Sequence, residues 1–251
     1  MEIHASMAAE ALFHIGPFTV TNTMLTTWVV IAFLTVLAIL ATRRMSLVPE
    51  SRLQNLMELI VEFLLDLSEK TAGPRVGRAV FPLIATLFIF ILTANWFGIL
   101  PIVGTITLCD PHHPGHCVPV FRAATSDLNI TAAMALIAIT TVQVVGVTVN
   151  GVRGYLKELT TPLLLAPIHL IGEISHVVSL SARLFGNIFG GEVLLVVMFA
   201  LVPYFVPIVF MGLEMFFGFI QALIFSVLTI VYIALAAGGH GGGEEHAEAH
   251  S

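Results

Sequence analysis

From Leu163 to Gly238 the chain stays apolar, interrupted only around Val202-Pro203-Tyr204 and Pro207. A helix crosses the hydrocarbon core of a bilayer with about 20 predominantly apolar residues, and lipid tolerates only segments that satisfy their own backbone hydrogen bonds. The run therefore predicts two helices, 163–202 and 205–237, each longer than an upright crossing needs, so both must tilt, curve or run along the membrane as one long hairpin. Three shorter apolar stretches, 24–42, 79–101 and 130–149, predict three further crossings. With 57% hydrophobic and 10% charged residues, the composition is far from the roughly 25% charged of a soluble domain. The expected fold class is an all-α integral membrane protein, a single membrane domain over residues 1–251 with the lipid bilayer as its solvent. A net charge of −6 offers no basic surplus for nucleic acid. Two cysteines exclude a disulfide scaffold and a four-cysteine zinc site.

Basic residues set the orientation. Arg43 and Arg44 follow the first crossing, Arg52, Lys70, Arg75 and Arg78 precede the second, and Arg153 and Lys157 follow the third. With five crossings and the N-terminus outside, all eight fall on the cytoplasmic side. Arg122 then lies in an external loop, 102–128, and Arg183 within the membrane. The first sixteen residues carry no Lys or Arg, which argues against a cleavable signal peptide. The N-terminus is expected to lie outside and the C-terminus in the cytoplasm.

Residues 48–72 alternate differently. Asn55, Glu58, Glu62, Asp66 and Glu69 recur every three or four positions, with Leu56, Ile60, Phe63, Leu64 and Leu67 on the opposite face. This is the pattern of an amphipathic helix, expected at the cytoplasmic membrane surface. Its acidic polar face is either solvated or turned to a partner subunit.

An ionisable group at membrane depth costs about 2.5–3.5 kcal/mol on insertion scales and marks function by default. Four of them, Glu173, Arg183, Glu192 and Glu214, fall in the last two helices, with His169, His176, Asn187 and Gln221; elsewhere Asn95 and Gln143 are the main polar residues at depth. Advancing about 100° per residue, Glu173, His176, Arg183 and Asn187 share one helix face with Leu180. Ser179, Ala182, Gly186 and Gly190 form a small-residue stripe beside it. Such a stripe permits close packing within the chain or presents a smooth surface to something outside it. Folding the hairpin about residue 203 brings Glu192 and Glu214 to one depth, eleven residues either side of the turn. Arg183 and Gln221 fall at another depth about 10–14 Å away. A straight helix sets Glu192 about 180° from Arg183, which curvature would have to correct.

The segments SLSARLFGNIFGGE (179–192) and QALIFSVLTIVYIALA (221–236), with TSDLNIT (125–131) and FPLIATLFIFILTANWFGILP (81–101), resemble the a subunit of rotary F-type ATP synthases. The resemblance runs from about residue 17 to 236. It implies a non-catalytic stator that conducts protons through two offset half-channels beside a rotating ring of c subunits. Peripheral-stalk b-type subunits and the rest of the complex would be further partners, with no cofactor. The family's essential arginine falls on Arg183 and its amides on Asn187 and Gln221. Its outer half-channel pair falls on Glu192 and Glu214, where members often carry one His and one Glu. No spare carboxylate of this chain is expected at the level of Arg183, so the partner would supply it.

Glu173 and His176 are assigned to the cytoplasmic exit on facial geometry. Their Glu-x-x-His spacing also occurs in di-iron bundles, but such a site needs a second copy and two further Glu, so no metal is expected there. CDPHHPGHC (109–117) combines Cys109 and Cys117 with His112, His113 and His116, open to a metal or to a disulfide in an oxidising compartment. The segment 238–251 has no His-Glu-x-x-His order and reads as a disordered cytoplasmic tail. A proton-coupled secondary transporter is the alternative, although transporters usually show repeats and interrupted helices. It would purify alone, whereas a stator subunit should co-purify with a proteolipid ring.

Overall fold

The computed structural model describes residues 10–15, 18–43, 52–100, 103, 106–109, 117–160, 166–202 and 205–238. Among these residues, six helices carry the fold: α1 Asn22–Thr42, α2 Arg52–Ala72, α3 Pro74–Gly98, α4 Leu128–Thr160, α5 Ala166–Leu201 and α6 Val206–Gly238. All but α2 are long and apolar enough to cross a membrane, and the chain is a multi-pass membrane protein. At about 1.5 Å per residue α5 and α6 reach about 50 Å against a hydrocarbon core of about 30 Å, so the long hairpin must lean. The acidic-faced helix expected between the first two crossings is α2.

Boundaries moved where chemistry other than hydrophobicity sets them. The helix expected at 79–101 starts at Pro74 and takes Arg75 and Arg78 into its first turns, because Pro presets helical φ at the first position. The crossing expected at 130–149 continues in helical form to Gly151, whose φ of 73° breaks α4. Asn150 donates there to the Ala236 carbonyl at 2.9 Å. Two short antiparallel hairpins were not foreseen: β1 Ala11–Ile15 with β2 Phe18–Thr21, and β3 Thr107–Cys109 with β4 Cys117–Pro119.

α6 lies at the centre, against α2, α3, α4 and α5. Its Phe225, Ile230 and Ile233 are fully buried with Ile84 and Ile91 of α3, Ala138 of α4 and Leu184 of α5. α1 stays peripheral; Thr23, Thr26 and Val30 are buried, while Trp28, Phe33, Val36 and Leu40 face outward as lipid-exposed residues do.

The α2–α3 corner is tight. Gly73 supplies a left-handed φ of 78°. Ser68 Oγ donates to the Gly77 carbonyl at 3.0 Å, and a Cβ on Gly77 would come within 2.5 Å of the Ser68 carbonyl oxygen. Leu64 is buried in the core with Ile60 and Leu67 packed beside it. Leu56 and Phe63, expected on the same covered face, are exposed instead, because α3 and α6 meet only one edge of it. Two of the acidic residues of α2 are paired: Asp66 with Lys70 at 2.7 Å and Glu69 with Arg78 at 2.8 Å.

Candidate functional site

The hairpin brings Glu214 to the level of Glu192. Glu214 is buried on α6, and its side chain reaches Gly191 of α5, the neighbour of Glu192. A pocket of about 120 Å³ opens here, lined by Asn187, Gly190, Gly191 and Glu214 among Leu194, Leu195, Phe210, Leu213 and Phe217. The equal spacing of the two Glu from the turn thus corresponds to real proximity.

Glu192 does not turn to the Arg183 face. It meets Arg122, whose Nη2 and Nε lie 3.3 and 3.4 Å from its Oε2. The expected angular separation of Glu192 from Arg183 therefore stands, and Glu214 occupies the pocket beside Asn187.

A polar scaffold holds this end of the hairpin. Residues 120–127 form a wedge with a 3-10 turn at Ala124–Ser126, docked among α1, α3, α4 and α5. Asp127 is buried; its Oδ2 accepts from Thr23 Oγ1 at 2.8 Å, and its Oδ1 accepts from the Asn129 backbone N–H at 2.9 Å. Asn95 donates to the Gly218 carbonyl at 3.0 Å and accepts from Thr125 at 2.8 Å, tying α3, the wedge and α6 at one point. Such fully satisfied buried networks fix one arrangement of their elements.

Arg183 sits on the opposite, open side of α5. It is exposed, as are Ser175, Ser179, Ala182, Gly186 and Gly190, and a Cβ on Gly186 or Gly190 would meet nothing within 4 Å. Among the described residues, no other helix packs against the small-residue stripe at Gly186 or Gly190 closely enough to meet an added Cβ. Among the described residues nothing hydrogen-bonds or pairs with the Arg183 guanidinium. Leu180 and Leu184 on the other side of α5 are buried and anchor it to the core.

Towards the other end, the His176 ring stacks on Tyr232, with centroids 4.3 Å apart and planes 18° from parallel. Glu173, one helical turn before His176, has a buried Oε2 without a partner. Among the described residues, the buried side-chain N and O atoms lacking a hydrogen-bond partner are Glu173 Oε2, Glu214 Oε2 and Gln221 Nε2. All three belong to residues singled out from the sequence. A buried polar atom left unpaired costs about 1–3 kcal/mol, so three on one polar track call for a functional explanation.

Two participants escaped sequence reasoning. Arg122 read only as an external charge, and its pairing depends on how the wedge docks. Tyr232 left a usable signal: it lies eleven residues after Gln221, within about 20° of it around the helix, so Glu214, Gln221 and Tyr232 share a face. Cys109 and Cys117 are directly opposed in the β3–β4 register. His112, His113 and His116 lie outside the described residues, as does the segment 239–251.

Residues 24–234 match the ATP synthase A chain family. The chain is 38% identical to ATP synthase subunit a of Moorella thermoacetica over 232 residues, covering 91% of this chain and 96% of the relative. It is 38% identical to ATP synthase subunit a 2 of a Bradyrhizobium species, covering 92% and 96%. It is 40% identical to the subunit a of Geotalea uraniireducens, covering 82% and 83%.

Proposed function

Because the chain belongs to the ATP synthase A chain family, we propose that it is the proton-conducting stator of a bacterial F-type ATP synthase, in which Arg183 separates two half-channels and faces the carboxylates of a c-subunit ring. The observation that carries this reading is the state of Arg183: a cation on a membrane-length helix, exposed, with no partner among the described residues and bordered by an open stripe of small side chains. A guanidinium stays protonated at any working pH, so it cannot relay protons. It favours the ionised form of a carboxylate that comes opposite it. A ring carboxylate therefore gives up its proton on one side of Arg183 and takes another on the far side before turning away. Each proton crossing 100 mV releases about 2.3 kcal/mol, and the arginine forces that crossing to go by way of the ring.

Glu192 and Glu214 form the proton entrance, Glu173, His176 and Tyr232 line the exit, and Asn187 and Gln221 line the approach to Arg183. The N-terminus is periplasmic and the C-terminus cytoplasmic, which puts the acidic face of α2 on the cytoplasmic side, where peripheral-stalk b-type subunits can meet it.

The test is Arg183→Ala. Energised membrane vesicles carrying the variant should contain the normal complement of subunits, make no ATP and leak protons. ATP synthesis at the wild-type rate would refute the reading.

A further inference from the structure

We propose that Arg122 is a positioning residue for proton entry, holding Glu192 as a paired carboxylate so that Glu214 is the outer carboxyl that takes up and passes on protons. The inference deepens the stator reading above and rests on it.

The two outer carboxyl groups have opposite surroundings. Glu192 Oε2 accepts from both Nη2 and Nε of Arg122, and the side chains are 12% (Arg122) and 25% (Glu192) exposed. Partly shielded pairs of this kind are weakly screened, and removing one partner strands the other. Arg122 is itself fixed in position. Its backbone N–H donates to Thr26 Oγ1 at 3.3 Å, and the following Ala123 is pressed against α3 where a Cβ on Gly98 would come within 2.6 Å of its Cβ. Glu214 has the reverse environment. Its Oε2 is buried without a partner, and its pocket is otherwise one amide, two glycines and apolar side chains. Among the described residues, the charged groups of this region are Arg122 and Asp127 of the wedge, Glu192 of α5 and Glu214 of α6. Asp127 is occupied by Thr23 and Asn129, and α1 and α3 bring only the neutral Asn22, Thr23, Thr26 and Asn95.

In the proposed step an external proton forms an O–H bond on the Glu214 carboxylate while Glu192 stays ionised against Arg122. That O–H then breaks as the proton passes to the ring carboxylate, and the Glu214 carboxylate is restored. Without the guanidinium, Glu192 and Glu214 become two uncompensated carboxylates on facing helices, and their repulsion makes the first proton bind more tightly.

The experiment measures ATP synthesis in vesicles of the whole complex against the pH of the proton-entry side. Arg122→Gln should move the midpoint upward by about one unit or more, and Arg122→Lys should keep it near wild type. The double variant Arg122→Gln/Glu192→Gln should return it towards wild type, since the second negative charge is gone. An unmoved midpoint in Arg122→Gln overturns the proposal, as does a double variant that keeps the shift. If Arg122→Gln fails to accumulate in membranes, the double variant decides. Its accumulation with a near-wild-type midpoint supports the pairing, and its absence makes the pair purely structural. Arg183→Ala in the same vesicles tests the stator reading separately.

Discussion

The carboxyl group of Glu214 rests directly on the backbone of Gly191: a Cβ on this glycine would fall 2.5 Å from Oε1 and 2.8 Å from Cδ. Two long helices thus touch through a glycine and a glutamate, and the contact leaves no room for a methyl group. Gly191→Ala should push the Glu214 side chain aside and lower ATP synthesis several-fold at unchanged subunit content. Gly212→Ala is the control, because a Cβ there meets nothing within 4 Å. Equal rates for the two variants in energised vesicles would mean that this contact is irrelevant to turnover.

Removing the carboxyl itself should act through conduction rather than folding. Glu214→Leu suits an apolar pocket and eliminates a buried, unpartnered oxygen, so the protein should assemble normally. Proton flux through the membrane sector, followed with a pH-sensitive dye, should nevertheless fall. Unchanged flux with unchanged ATP synthesis would take Glu214 off the entry path.

Charge alone should not suffice at position 183. Arg183→Lys keeps a cation but loses the planar fork, and an ammonium sheds its proton when desolvated more readily than a guanidinium. ATP synthesis by this variant should be close to that of Arg183→Ala. A rate near wild type would show that any point charge serves.

At the proposed exit, the flat contact between His176 and Tyr232 depends on an aromatic ring rather than on a hydroxyl. Tyr232→Phe should retain most of the proton flux, and Tyr232→Leu should lose a substantial part of it. If both variants conduct equally, the stack plays no part in proton release.

The register of β3 and β4 sets Cys109 opposite Cys117, in a segment expected to face an oxidising compartment. We expect the two residues to be joined in the native protein. Alkylation without reduction should leave both unmodified, and alkylation after reduction should add two labels. Full labelling of the unreduced protein would exclude the bond.

Much of this architecture is legible in the residues because lipid imposes a single length scale on apolar runs. The same simplicity made the common depth of Glu192 and Glu214 readable, since two antiparallel helices match depth by counting from their turn, and Glu214 meets Gly191, the residue before Glu192. What escaped depends on contacts distant in sequence or on backbone chemistry. Pro74 starts α3 ahead of two arginines that hydrophobicity alone excludes. Gly151 breaks α4 inside an otherwise continuous helical pattern. Arg122 finds Glu192 only because Thr26, Gly98 and Asn95 together dock the wedge that carries it.

The strip Ser175, Ser179, Ala182, Gly186 and Gly190 runs about 22 Å along α5 at the helical rise. Elsewhere in the bundle, helices lock together as ridges of side chains seat in facing grooves. This strip has almost no ridges, so a helix lying across it finds no preferred register and can shift sideways without climbing over side chains. Arg183 projects beside it, along one edge. In the proposed stator, resistance to lateral travel along this surface would be set by the charge of what passes, hardly by its shape, and a single protonation event would be enough to change it.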